Sequence, residues 1–80
     1  MRIMVHLKQI AIKDNIASAT YHPEDINDGG FLKVNLSTGD IIEHTMVDGF
    51  SFNYVHHAAK ELKRIFASNE NRTESVAMWY

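Results

Sequence analysis

The chain is 80 residues long, 45% hydrophobic and 22% charged, with a formal charge of −2 and no cysteine. That length and composition describe one ordinary globular domain, residues 1–80, able to bury roughly two-thirds of its unfolded surface. The lack of cysteine excludes disulfide stapling and thiolate zinc sites and fits a reducing, cytoplasmic setting, while the near-neutral charge gives no global basic field for nucleic acid. The apolar run at the start is interrupted by His6, Lys8 and Gln9, too often for a signal-peptide core or a membrane span.

Residues 2–13 read as a strand, because Ile3, Val5, Ile10 and Ile12 are β-branched and suit a pleated surface. Ile3, Val5 and Leu7 keep one phase of the alternation and Ile10 and Ile12 the other. A single β-bulge near Lys8-Gln9 would bring both sets to one face. The competing reading is a helix using Ile3, Leu7, Ile10 and Ala11. Asp14-Asn15 decides for the strand, since two residues that tolerate positive φ between apolar runs make a tight hairpin turn. Lys13 then faces Ile16, Ile12 faces Ala17 and Ile10 faces Ala19. Directly opposite residues share a face, so Ile10, Ile12, Ala17, Ala19 and Tyr21 fall on one side, and the second strand covers 16–22.

His22 to Gly30 is expected as a loop, since Pro23 removes a ladder donor and Gly29-Gly30 breaks the pattern. Residues 31–36 alternate, with Leu32, Val34 and Leu36 on one face. Ser37 to Asp40 forms a turn with Gly39 left-handed, and 41–47 returns as the fourth strand. Asp48-Gly49 leads into the helix, about 51–67, where Val55, Ala58, Ala59, Leu62, Ile65 and Phe66 recur at steps of three and four. Ser51 is its N-cap, Phe50 and Val55 its hydrophobic staple, and Asn69 its stop. Residues 74–80 read as the fifth strand, with Val76, Met78 and Tyr80 opposite Ala77 and Trp79. The order β-β-β-β-α-β implies an α+β domain with a mainly antiparallel, twisted sheet and the helix packed across one face.

Chemistry is sparse. His56 and His57 diverge by about 100° around the helix and cannot easily grip one ion, and the H-E-x-x-H spacing is absent. His6, His22 and His44 are scattered. The loop Asp25 to Gly30 resembles the start of a calcium site, but the ninth position is Lys33 and the twelfth is Leu36, where a bidentate Glu is needed. Gly49-Phe50-Ser51-Phe52 is not a nucleophile elbow, and Asp40, Glu43, Asp48 and Glu61 are not paired across a cleft. No catalytic residue, metal ligand or cofactor-binding residue is assigned, and no cofactor is expected.

Two surfaces remain. His56, Lys60, Lys63 and Arg64 form a basic helix stripe, a candidate for nucleic acid if it merges with Lys8, Lys13, Lys33 or Arg72, and otherwise a solvated face suited to the helix dipole. The second surface is aromatic and apolar. Leu32, Val34, Leu36, Val76 and Met78 are expected on one sheet face, and Phe31, Ile41, Ala77 and Trp79 on the other, which leaves an apolar face beyond the helix. The last strand, ending Met78-Trp79-Tyr80, also lacks the charge or proline that guards an edge. Phe31, Ile41, Trp79 and Tyr80 are therefore the candidate protein interface. The alternating hairpin, T-G-D turn and W-Y ending have the look of many short bacterial proteins and carry over no activity. The expectation is a non-catalytic binding domain that forms a homodimer and contacts another protein; nucleic acid is the alternative, and a small enzyme or metal-binding module the next.

Overall fold

A computed structural model describes residues 3–79. The elements run β1 (Ile3–Lys13), β2 (Ile16–Pro23), β3 (Gly30–Asn35), β4 (Ile41–His44), α1 (Phe52–Ala67) and β5 (Ser75–Trp79). They form one antiparallel sheet in the order β4-β3-β2-β1-β5, with the helix on one face. Among the described residues no helix is long and apolar enough to cross a membrane.

The first hairpin follows from its residues. Asp14 and Asn15 have φ of 52° and 63°, the mirror-image turn that matches strand twist, and Lys13 pairs with Ile16. Lys8 pairs with Thr20 and Ala11 with Ser18, so Gln9 and Ile10 together oppose Ala19. Gln9, with φ of 54°, is the bulged residue. The phase slip is absorbed there, and Val5, Leu7 and Ile10 all reach the helix side with Ala17, Ala19 and Tyr21. The bulge also turns the Ile10 N–H away from β2, to donate to the Thr73 carbonyl at 2.9 Å.

The fourth strand is shorter than its sequence suggests, ending at His44 rather than Val47. The Tyr21 hydroxyl reaches across the sheet and donates to the Thr45 carbonyl, while the Thr45 hydroxyl accepts from the Phe31 N–H at 2.8 Å. Both bonds take groups that a continuing ladder would use. Gly30 makes room for this arrangement: a Cβ there would lie 2.5 Å from the Tyr21 ring and 2.9 Å from the Thr45 carbonyl oxygen.

Ser51 caps the helix by accepting from the Asn53 N–H. At the other end Asn69, with φ of 54°, closes a Schellman motif: its N–H donates to the Phe66 carbonyl, and the Glu70 N–H donates to that of Ile65. Val55, Ala58, Ala59, Leu62 and Ile65 are buried against the sheet. The two alanines let the backbones approach. Phe66, in line with the stripe, instead sits in the last turn beside Ile10 and Ile12 at the hairpin end and stays 42% exposed.

The expected division of apolar residues between the two faces needs correction. β5 pairs with β1, so β1 sets its phase. Ala77 and Trp79 oppose Val5 and Ile3 and lie on the helix side, as does Ile41 opposite Val34. Val76 and Met78 oppose His6 and Met4 on the open face, where Phe31 lies opposite Thr20.

Candidate protein-interaction surface

β5 is an edge strand. Its pairing with β1 is unbroken from Ile3–Trp79 to Leu7–Ser75, and among the described residues no strand pairs with its other side. The helix holds β5 at both ends. The His57 ring stacks on Trp79 with centroids 3.9 Å apart and planes 13° from parallel, and Tyr54 meets the indole edge-on at 5.3 Å. At the Ser75 end, the Ser75 hydroxyl donates to Glu61, whose carboxylate also takes a forked pair of bonds from Arg64 at 2.8 and 2.9 Å. Between these ties runs an open groove of about 480 Å³, with the helix as one wall and residues 76–79 as the other.

Local electrostatics follow from this packing. Burial, helped by the neighbouring His56 and Lys60, lowers the His57 pKa and so disfavours the charged form of the ring where it stacks. Burial alone would raise the Glu61 carboxyl, but the bonds from Arg64 and Ser75 more than offset it and hold the pKa below the usual value. Burial and the bond to Glu24 raise the Tyr54 phenol, which donates to that carboxylate at 2.8 Å. The groove thus has an aromatic end and an internally paired charged end, with the exposed Lys60 on its helix wall. The strand beside it offers unpaired main-chain donors and acceptors.

The opposite edge is built differently. Lys33 pairs with Glu43 and Val34 with Ile41, so Ile42 is an extra residue that bulges the strand. β4 has four residues, and Glu43 faces Lys33 with their charged atoms 4.0 Å apart. Shortness, a bulge and charge are the features that blunt an edge, and β5 has no proline or charged side chain and an unbroken register.

The open face carries a polar cluster that the sequence does not reveal. His6 lies opposite His22, with its Nδ1 3.0 Å from Asp25 and its Nε2 3.2 Å from Glu74. The hydrogen bond with His6 is the main cause of a lowered Asp25 pKa. His22 is buried, with Nδ1 2.9 Å from the Ile26 carbonyl and Nε2 3.1 Å from the Thr20 hydroxyl. These bonds pin the 24–28 loop and the start of β5 to β1 and β2. Asp25, the first residue of the calcium-like loop, is engaged by His6, and among the described residues no three His, Asp or Glu side chains converge to hold a metal ion.

The candidate site residues from the sequence are separated in space. Arg64 is committed to Glu61 and, at 2.7 Å, to Glu70, which also holds Arg72. The Lys63 ammonium lies over the β3–β4 turn, 3.1 Å from where a Gly39 Cβ would stand. His56 and Lys60 are exposed, while Lys8 and Lys33 lie beyond the sheet on its other face. Of the candidate interface residues, Ile41 and Trp79 pack against the core from the helix side, Phe31 is half-buried on the open face, and Tyr80 lies outside the described residues. Val76 and Met78, 39% and 53% exposed on β5, were not singled out; period-two alternation marks them as a pair, but which face they take depends on the β1 pairing. No family model, curated protein or solved structure matches the chain.

Proposed function

We propose that this domain acts by binding rather than by catalysis, as a small non-catalytic cytoplasmic protein that associates with itself and contacts another protein. The observation that carries this reading is the contrast between its two sheet edges. β4 is bulged and charged, whereas β5 is unbroken and uncharged and exposes Val76 and Met78 beside its free main chain. An extended strand laid along β5 would gain backbone hydrogen bonds, and its alternate side chains would enter the groove beneath the helix or cover the apolar pair on the open face. Sedimentation velocity over a micromolar concentration series tests this. The sedimentation coefficient is expected to rise with concentration, and a single 9.2 kDa species throughout the series would overturn the self-association.

The nucleic-acid reading has less support. Arg64 is neutralised by two carboxylates, and Lys8 and Lys33 are separated from Lys60 and Lys63 by the thickness of the sheet. A field built from such scattered cations falls off within about one Debye length, roughly 8–10 Å.

A further inference from the structure

We infer that the strand docked on β5 is the β5 of a second copy, antiparallel, with the two-fold axis at Ala77. This rests on the binding reading above and adds the partner and the register. A two-fold centred on Ala77 sets Val76 of each copy opposite Met78 of the other. Directly opposite residues share a face and approach to about 4.5–5.5 Å between Cβ atoms. The exposed side chains of β5 therefore meet on the open face, where Met4 already lies beside Met78. Each cross-strand row at the seam then runs from Met4 and Met78 of one copy to Val76 and His6 of the other.

On the helix side the axis falls on a methyl group, so the two strands can close to ladder distance between the grooves. Ser75 comes opposite Trp79, a small residue against the largest. An axis between two residues would set the exposed Val76 or Met78 across from a residue facing the helix side, because a one-residue slip exchanges faces, and an axis on Val76 or Met78 would keep the faces but pair only three of the five strand residues. No charged side chain lies on β5, so the two-fold brings no like charges together along the strand.

The contrast between edges argues for a closed pair. Strand addition that used β5 of one copy and β4 of the next would repeat into a filament, and the Ile42 bulge and the Lys33–Glu43 pair oppose it. Pairing β5 with β5 consumes the unguarded edge of both copies and leaves only guarded ones. A five-residue strand is about 17 Å long. It buries less than the roughly 800 Å² per partner of a standard interface, so the dimer is expected to be of micromolar affinity.

The absence of native cysteine allows a direct test. Val76→Cys and Met78→Cys are prepared separately, checked by thermal melting, and oxidised mildly alone and mixed. In the inferred register the mixture forms the mixed disulfide on the order of tenfold faster than either variant forms its own, because like positions are diagonal, about 7–8 Å apart. Met78→Lys, which guards the edge, is expected to sediment as a monomer and to melt like wild type at dilutions where wild type is itself monomeric. If wild type self-associates while the like-with-like disulfides form as fast as the mixed one, the register is wrong and the binding reading stands. If wild type is monomeric throughout and no disulfide forms preferentially, both fall.

Discussion

Truncating Leu62 tests the packing of the helix on the sheet most directly. Leu62 has no exposed surface and lies in mid-stripe among Ala58, Ala59 and Ile65. Leu62→Ala removes the branch beyond Cβ, about 2.5 kcal/mol of transfer at ~0.8 per carbon. A cavity term is added, because the hydrogen-bonded sheet on one side and the capped helix on the other cannot close on the void, and the total should be about 3–4 kcal/mol. A domain of this size has a stability of about 4–12 kcal/mol. The loss should therefore lower Tm by roughly 12–30 °C. Urea and thermal denaturation followed by far-ultraviolet circular dichroism measure it, with both proteins at one concentration, since self-association would raise the apparent stability. Ile12→Ala is the comparison: Ile12 is 38% exposed at the hairpin end and should cost no more than about 1.5 kcal/mol. A Leu62→Ala protein within about 1 kcal/mol of wild type would show that the helix does not bury this face.

Three further outcomes are expected. The depressed Glu61 pKa gives stability that is present above the unfolded value, near 4.5, and lost as pH falls through the lower folded value; Glu61→Gln should cost about 1–3 kcal/mol at neutral pH and flatten the acid limb of the stability profile, and parallel acid limbs would refute the assignment. Gly30→Ala drives a methyl group into the Tyr21 ring and the Thr45 carbonyl, so urea denaturation should show a loss of about 1–3 kcal/mol, and an unchanged midpoint would place the Tyr21 ring elsewhere. Reversing Lys60, Lys63 and Arg64 to Glu should remove no salt-sensitive binding to a duplex or a single strand; micromolar wild-type binding at physiological salt that the triple variant loses would restore the nucleic-acid reading.

Much of the fold was legible because its determinants are local. Asp14-Asn15, Gly39, Ser51 and Asn69 each set their backbone through side chains or φ preferences within a few residues, and the Gln9 bulge showed as a slip in the alternation. The length of β4 was not legible, since it depends on Tyr21, which is distant in sequence. The partition of faces failed for the same reason. Alternation fixes which residues of β5 lie together, and the side they take is decided by pairing with β1 at the far end of the chain. The candidate surface was half visible. The lack of charge on the last strand can be read directly, whereas the groove requires knowing that His57 stacks on Trp79 and Glu61 binds Ser75. The basic stripe was legible as a pattern but not as a field, because Glu70, which holds Arg64, lies past the end of the helix.

The Gln9 bulge has a kinetic consequence. β1 to β4 form a meander whose pairings are short in sequence and can form early, but β5 joins β1 across nearly the whole chain, after the helix has crossed the sheet. The Ile10 N–H that the bulge releases is taken by Thr73, immediately ahead of β5, so the bulge is the anchor from which the last strand can zip towards Ile3. Until then β1 is itself a bare edge. Trp79, the single tryptophan, sits at the far end of that zipper and reports its completion. On this hypothesis indole fluorescence reaches its native value in the slowest refolding phase, behind the far-ultraviolet signal, and coincident traces would mean that all five strands assemble in one step.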